Sequence, residues 1–145
     1  MLVFQNLERQ AHLDGVEATV VGIVVPNGDA ILLLKRRADD FLPNVWEIPG
    51  GHLDSGESIP EALRRELKEE TGLDLVAIQR YLGHYDYDGE FGLTRQWNFE
   101  VQVGPYKRIV HPEHTASCWA APADWACLPM SVEMRGALMA YAADR

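Results

Sequence analysis

Hydrophobic and polar positions along the first part of the chain alternate loosely, as they do in extended strands. Residues 17–25 are rich in Val, Thr and Ile, and residues 30–36 follow them after a Pro-Asn-Gly-Asp turn signal. The two segments therefore predict a β-hairpin. A short strand over residues 45–48 leads into Pro49-Gly50-Gly51, where a tight glycine turn would let the backbone approach a ligand or an ion closely.

The second half of the chain predicts more strands and a closing helix. The predicted segments are strands over residues 74–85, 95–103 and 115–121, loops over residues 86–92 and 104–113, and a helix over residues 131–143. Within residues 95–103, apolar residues alternate with polar ones such as Gln96 and Asn98, which is typical of a half-buried strand. The order of elements predicts one α/β domain over residues 1–145, an α/β/α sandwich with a central mixed β-sheet.

A helix over residues 58–73 separates the two groups of strands. Ser58 is a candidate N-cap, and Glu61 three residues later completes a capping-box pattern. Pro60 lies in the first turn, where its missing N–H costs nothing, and Gly72 stands where a left-handed glycine ends many helices. These local signals predict both ends of the helix.

The acidic residues of this helix do not follow the usual surface pattern. Glu66 and Glu70 continue the apolar stripe that faces the core, and Glu69 lies at its edge. Burying unpaired carboxylates costs several kcal/mol, so a cation must compensate, and a hard divalent ion suits carboxylate oxygens. The alternative is a solvated acidic face with Arg65 and Lys68 as its partners. The residues expected on the opposite, solvated side are Glu61, Arg64, Lys68 and Thr71.

The spacing of these residues favours the metal. Gly51 and Glu57 are followed by Arg65-Glu66-Leu67, Glu69-Glu70 and Gly72-Leu73 at the intervals of the Nudix hydrolase signature. The motif of this chain resembles that family at every fixed position between residues 51 and 73. The resemblance implies a Nudix-type sandwich and a MutT-like pyrophosphohydrolase.

The resemblance also implies roles for individual residues. Glu66, Glu69 and Glu70 would bind Mg²⁺ or Mn²⁺, with the carbonyl of Gly51 as a backbone ligand and Glu57 as an outer or water-mediated one. Such an ion orients phosphate oxygens and lowers the pKa of a bound water. Arg65 would orient the catalytic Glu66; its other interpretation is charge relief along the helix.

The general base has several candidates. Glu66 is one, and in some family members a carboxylate from a loop outside the motif takes this role. The preferred external candidate is Glu113, in the cluster His111-Pro112-Glu113-His114, with Glu90 and Glu100 behind it. An exposed loop acid without a catalytic role is the other interpretation of Glu113. Zinc held by His111, His114 and Cys118 is a minor alternative, because their spacing fits no structural-zinc pattern well.

Charge and composition exclude some functions. The chain carries 13 Lys and Arg against 22 Asp and Glu, a net charge of −9, which argues against nucleic-acid binding. The N-terminus lacks the apolar region of a signal peptide, and the apolar run over residues 20–25 is too short to span a membrane. With only two cysteines and no CxxC spacing, a reduced, cytoplasmic protein is expected.

The substrate is less well specified. The proline that ADP-ribose-type family members carry after the motif is absent here, as is the array of NADH-type members, so a nucleoside triphosphate cleaved to a monophosphate and pyrophosphate is favoured. A nucleotide sugar, a dinucleoside polyphosphate, or a regulatory module that only binds nucleotides are the alternatives. Arg36 is a candidate phosphate contact, and Trp46 is either a base-stacking platform or a core residue. The apolar C-terminal helix serves either the core or a homodimer contact.

Overall fold

The computed structural model describes residues 2–40, 43–106, 109 and 113–145, and these form eight strands and four helices. The strands are Ala18–Val24 (β1), Pro26–Asn27 (β2), Ala30–Arg36 (β3), Trp46–Glu47 (β4), Gly50–His52 (β5), Leu75–Gly89 (β6), Gly92–Val103 (β7) and His114–Ala120 (β8). The helices are Leu2–Leu13 (α1), Ile59–Thr71 (α2), Pro122–Trp125 (α3) and Val132–Ala143 (α4).

Two sheets organise these strands. The first has the order β5-β1-β7-β6, and it is mixed because β1 runs parallel to β7 while the other neighbours are antiparallel. The second contains β2, β3 and β4 in that order, with β8 pairing β3 on an antiparallel register. The predicted central mixed sheet is confirmed; the smaller antiparallel sheet beside it was not anticipated.

Helices cover the two sides of this arrangement, as the predicted sandwich requires. Apolar residues of α1 and α2 pack with β1 and β7 in one core, where Leu63, Leu67, Trp97 and Phe99 are fully buried. Residues of α3 and α4, among them Trp125, form a second core with β3 and β8. Among the described residues, no helix is long and apolar enough to cross a membrane.

Several features of the fold differ from the sequence prediction. Helix α1 has no counterpart in it, although Phe4, Leu7 and Ala11 lie on one helical face and contact the first core. The glycine pair expected in a turn belongs instead to β5, which pairs with β1. There, a Cβ on Gly50 would overlap the carbonyl oxygen of Val21.

Strand β6 is also longer than predicted, since the expected loop over residues 86–92 contributes residues to both β6 and β7. Asp86 lies opposite Arg95, and the Arg95 guanidinium makes two hydrogen bonds to the Asp86 carboxylate, at 2.8 and 2.9 Å. Cross-strand ion pairs stabilise a strand whose residues have low strand propensity. The turn of this hairpin is therefore only Glu90-Phe91.

The polar face of β7 is the last difference. Gln96 and Asn98, expected on the half of the strand that faces solvent, are buried. Gln96 Nε2 donates a hydrogen bond to Asn98 Oδ1 at 2.8 Å, so the two amides partly satisfy one another. Both faces of β7 are thus covered along most of the strand.

Candidate active site

Helix α2 carries the acidic residues of the candidate site and begins and ends as predicted. The Ser58 side chain accepts a hydrogen bond from the Glu61 N–H, and the Glu61 side chain accepts one from the Ser58 N–H. At the other end, Gly72 adopts φ 77°, the left-handed conformation that favours glycine. The helix is therefore fixed at both termini by its own sequence.

The helical phase predicted for the acids is confirmed. The exposed fractions of Glu66 and Glu70 are only 8% and 7%, whereas Glu69 is exposed at the edge of the stripe. Thr71, expected on the solvated side, is fully buried instead. Its Oγ1 donates to the Leu67 carbonyl and accepts from the Leu73 N–H, so the hydroxyl serves the helix end rather than solvent.

The Glu66 carboxylate lies directly against β5. A Cβ on Gly51 would overlap this carboxylate, so a glycine is required for the strand and the helix to approach this closely. Arg65 Nη1 donates to Glu66 Oε1 at 2.8 Å. Burial raises the pKa of Glu66, the hydrogen bond from Arg65 opposes this effect, and the charges of Glu69 and Glu113 add to it.

Glu70 is the most strongly perturbed acid of the site. Burial, followed by the charges of Glu47 and Glu66, raises its pKa from 4.5 to about 9. Its Oε1 accepts a 3.3 Å hydrogen bond from the Gly50 N–H, while its buried Oε2 has no hydrogen-bond partner among the described residues. A buried carboxylate in this state is destabilised unless a cation approaches it.

The residues around Glu70 suit a hard divalent cation. Carboxylate oxygens and a backbone carbonyl are the donors that Mg²⁺ and Mn²⁺ prefer, and Mg²⁺ keeps several of its waters. Within the part of the chain that the structure describes, no three His, Cys, Asp or Glu side chains already surround one ion position. The fit therefore depends on few protein ligands, with water or substrate oxygens completing the coordination shell.

Arg65 connects the helix to the segment before it. Its guanidinium donates two hydrogen bonds to the Glu57 carboxylate, at 2.7 and 2.8 Å, and one to the His52 carbonyl at 3.0 Å. It also reaches Glu69 at 3.2 Å. These hydrogen bonds lower the pKa of Glu57, which is thus ionised and held by Arg65.

The acids of α2 do not all lie on a solvated face, because Glu66 and Glu70 are buried. Lys68 Nζ pairs with Asp74 Oδ1 at 2.9 Å, and among the described residues Arg65 pairs with Glu66 rather than with Glu70. Arg65 thus relieves part of the charge and holds Glu66, while Glu70 stays buried.

The external base candidates lie in different places. Glu113 is exposed just before β8, close enough for its charge to raise the pKa of both Glu66 and Glu70. Glu90 lies at the tip of the β6–β7 hairpin and lines the cleft described below. Glu100 instead accepts hydrogen bonds from Arg80 and from Tyr141 of α4.

The zinc alternative involves one residue, His111, that lies outside the described residues. Of its other members, His114 contacts acids of the site, as described below, and Cys118 packs against the second core. The structure therefore gives this alternative no support among the residues it describes.

An open cleft of about 590 Å³ adjoins the acidic cluster. Both predicted substrate contacts, Arg36 and Trp46, line it, and Trp46 also packs against the second core. Glu47, whose charge acts on Glu70, and His52, whose carbonyl accepts a hydrogen bond from Arg65, form part of the same wall. The other residues that line the cleft include Tyr85, Tyr87, Asp88, Thr94, Gln96 and Glu133.

Two residues of the site have contacts there that the sequence analysis did not predict. The charge of half-buried Glu47 raises the pKa of Glu70, and His114 lies between them, with Nε2 3.0 Å from Glu47 Oε2 and Nδ1 3.2 Å from Glu70 Oε2. An acid within the otherwise apolar residues 45–48 was a signal for Glu47. The sequence analysis considered His114 only as a zinc ligand and as a neighbour of Glu113, because its contacts with Glu47 and Glu70 depend on how β8 pairs with β3.

Comparison with known proteins agrees with this geometry. A family model described as the NUDIX domain matches residues 16–140. The chain is 45% identical over 74 residues to the m7GpppN-mRNA hydrolase NUDT17 of Xenopus laevis, covering 50% of this chain and 25% of that protein. It is also 45% identical over 65 residues to the nucleoside triphosphatase NudI of Escherichia coli, covering 43% of this chain and 45% of that protein.

A solved structure extends the similarity to most of the chain. The MutT NUDIX hydrolase of Burkholderia pseudomallei superposes with a TM-score of 0.74 and 26% identity, covering 84% of this chain and 95% of that one. The curated relatives are matched over less than half of their own length.

Proposed function

Because this chain belongs to the Nudix hydrolase family, we propose that it hydrolyses a pyrophosphate bond of a nucleoside diphosphate-linked compound with the help of Mg²⁺ or Mn²⁺. The favoured substrate is a ribo- or deoxyribonucleoside triphosphate, which would yield the monophosphate and pyrophosphate. One observation carries the proposal: Glu66 and Glu70 are buried against Gly51 and Gly50 respectively, and Oε2 of Glu70 makes no hydrogen bond of good geometry among the described residues, with only the His114 ring near it at 3.2 Å.

The proposed metal ligands are the carboxylates of Glu66, Glu69 and Glu70 and the carbonyl of Gly51. When bound, the ion neutralises phosphate charge and lowers the pKa of a coordinated water. We assign Glu57 an outer role, since both of its oxygens accept hydrogen bonds from Arg65.

Arg65 orients Glu66 in this proposal. Its 2.8 Å hydrogen bond to Glu66 Oε1 opposes the rise in pKa that burial causes and directs the carboxylate. Glu66 and Glu113 remain the two candidates for the general base. Glu113 has the freer position, because it is exposed and its charge is felt by both buried glutamates.

The cleft would receive the base and sugar of the substrate. Trp46, Tyr85 and Tyr87 offer aromatic surface to a planar base, and buried Gln96 offers an amide at the cleft wall. Arg36 is the arginine of the wall, and it is shared between Glu47 at 3.1 Å and Asp40 at 2.9 Å. With several acids around it, the cleft suits the uncharged base better than the phosphates, which belong at the metal.

The name of one relative, nucleoside triphosphatase NudI, supports the favoured substrate. A second candidate follows from the other relative, which is named an m7GpppN-mRNA hydrolase. In that case the substrate is a dinucleoside polyphosphate-type compound, and nucleotide sugars such as ADP-ribose belong to the same alternative. A module that binds nucleotides without cleaving them is the remaining one, and the complete set of motif acids speaks against it.

A substrate panel tests the proposal. Nucleoside triphosphates, nucleotide sugars and dinucleoside polyphosphates are incubated with the protein and Mg²⁺ or Mn²⁺ at mildly alkaline pH, and the products are separated and identified. Release of pyrophosphate and a monophosphate from a triphosphate is the expected result. Cleavage confined to nucleotide sugars or dinucleoside polyphosphates would establish the second candidate. If no compound is turned over, the proposed hydrolase activity is contradicted.

Three further expectations also remain proposals: a single domain over residues 1–145, a location in the cytoplasm, and a homodimer through α4. Val132 and Met139 are exposed on this helix, which is why α4 is proposed as the contact. Light scattering distinguishes a dimer from a monomer by the mass in solution.

A further inference from the structure

Three polar residues from adjacent strands meet beside Glu70 of α2. In the second sheet, β3 lies between β4 and β8, and the register places Arg36 opposite His114 on one side while Leu34 pairs with Glu47 on the other. The side chains of Arg36, Glu47 and His114 are therefore positioned by strands rather than by loops.

Their contacts form a continuous path to Glu70. Arg36 Nη1 donates to Glu47 Oε1 at 3.1 Å, and His114 Nε2 donates to Glu47 Oε2 at 3.0 Å. The other ring nitrogen, His114 Nδ1, lies 3.2 Å from Glu70 Oε2. The His114 side chain is only 7% exposed, so water has little access to this contact.

The Glu70 carboxylate has few other constraints. Its Oε1 accepts one long hydrogen bond, at 3.3 Å, from the Gly50 N–H. The terminal torsion of a glutamate is broad and poorly constrained on its own, so a single long bond defines the direction of the carboxylate weakly. The imidazole of His114, held in turn by Glu47, lies 3.2 Å from the other oxygen, Oε2, without a hydrogen bond of good geometry, and its buried ring limits the directions that this oxygen can take.

We propose that Glu47 and His114 are positioning residues, which hold the carboxylate of Glu70 in the orientation in which it binds the metal ion. Loss of an outer group that orients a metal ligand typically lowers metal affinity or activity by about 10- to 100-fold. The inference rests on the proposed metal role of Glu70, and it adds two residues that the motif does not contain.

The test measures Mn²⁺ affinity by electron paramagnetic resonance, without substrate. His114→Leu, which replaces the imidazole with an apolar side chain of similar size, is expected to weaken Mn²⁺ binding by about 10-fold or more. Glu47→Gln, which removes the charge but keeps the shape, is expected to act in the same direction and more weakly. His84→Leu is the matched control, because His84 is exposed on β6 and bonds Tyr81.

A double-variant comparison separates positioning from a general loss of structure. If His114 acts through Glu70, then His114→Leu should change the Mn²⁺ affinity little when Glu70→Gln is already present. The same change should keep its full effect beside Glu69→Gln, since Glu69 is exposed and pairs with Arg65. A merely structural role would give equal losses in both backgrounds.

Turnover provides a second readout. Loss of orientation at the metal should lower kcat by about 10-fold or more and change KM by less than about threefold. Folding of each variant is verified by circular dichroism, and Glu47→Gln serves if His114→Leu does not fold.

The proposal is overturned if folded His114→Leu and Glu47→Gln both bind Mn²⁺ within about twofold of the parent affinity, a difference too small for a lost ligand support. It is also overturned if the loss is undiminished in the Glu70→Gln background. Because these measurements contain no nucleotide, they are independent of whether the substrate panel shows hydrolysis.

Discussion

The pKa of Glu70 links the candidate site to the stability of the protein. Burial and the charges of Glu47 and Glu66 raise it from 4.5 to about 9, so the folded chain without metal holds a proton on Glu70 at neutral pH. In the unfolded chain the same carboxyl group is ionised above about pH 4.5. Folding and proton binding are therefore coupled at this residue.

The sign of the resulting pH dependence follows directly. Between about pH 4.5 and about pH 9 the folded state binds the proton and the unfolded state does not, so the free energy of unfolding falls as the pH rises. In the presence of EDTA, the melting temperature measured by circular dichroism should decrease across this window. Added Mg²⁺ should restore it most strongly at the alkaline end.

Glu70→Gln should flatten this dependence, because glutamine does not titrate. Glu69→Gln is the control on the same helix, at an exposed position, and it should leave the slope unchanged. A slope that is identical in the parent and in Glu70→Gln would show that another group is responsible.

At the scale of single residues, the sequence predicted the acids that follow a helical period but not those that depend on tertiary pairing. The inward direction of Glu66 and Glu70 follows from counting positions, because α2 is regular. Thr71 breaks the count, since the helix ends there and its hydroxyl bonds the Leu67 carbonyl and the Leu73 N–H. His114 could not be placed beside Glu70 without knowing that β8 pairs with β3.

Among the elements, α2 is the one whose ends are determined most locally. The capping box of Ser58 and Glu61 satisfies two N–H groups that a helix otherwise leaves unpaired, and Gly72 ends it in the left-handed conformation. A fixed helix end keeps Arg65 and Glu66 at constant distances from β5. The geometry of the candidate site thus depends on a local feature of the chain.

Ser58→Ala tests this dependence. Loss of an N-cap side chain costs about 1 kcal/mol of the free energy of unfolding. Urea denaturation followed by circular dichroism should show that loss, and Ser58→Asp, which can still accept from the Glu61 N–H, should recover most of it. Equal stability of Ser58→Ala and the parent would contradict the capping role.

The long hairpin of β6 and β7 shows where local signals are not sufficient. The glycine-bearing, acidic sequence over residues 86–92 predicts a loop from composition. In the structure it extends the ladder instead, because buried Arg95 bonds Asp86 and also Asp14, at 2.8 Å in each case. Arg95, which comes later in the sequence, pairs with Asp86 and also with Asp14 of the N-terminal segment. These contacts outweigh the local preference of residues 86–92 for a loop.

At the scale of the whole molecule, two sheets and two layers of helices bring distant segments to one site. Acids from α2, glycines from β5, Glu47 from β4 and His114 from β8 converge at one end of the cleft, whose far wall is built by β6 and β7. The order of strands and helices was sufficient to predict the sandwich and its mixed sheet. It was not sufficient to predict the division into two sheets, because the hydrophobic pattern of one strand does not indicate which other strand pairs with it.

Net charge adds a constraint at this scale. The chain carries −9, and a polyphosphate substrate is also negative, so the two repel unless a cation lies between them. A divalent ion bound by the acidic helix would reverse the charge locally and so reduce this repulsion. In the proposed function, substrate identity would depend on the cleft wall, where Trp46, Tyr85 and Gln96 lie outside the motif.

The most direct test of the central claim is the Mg²⁺-dependent turnover of Glu69→Gln and Glu70→Gln on the best substrate from the panel. Both variants should remain folded. Their turnover should fall by more than about 100-fold, the upper end of the loss that removing an outer partner of a metal ligand typically causes. Glu61→Gln, on the exposed face of the same helix and still able to complete the capping box, should retain the parent rate. Near-parent rates in both Glu69→Gln and Glu70→Gln would contradict a metal site on this helix.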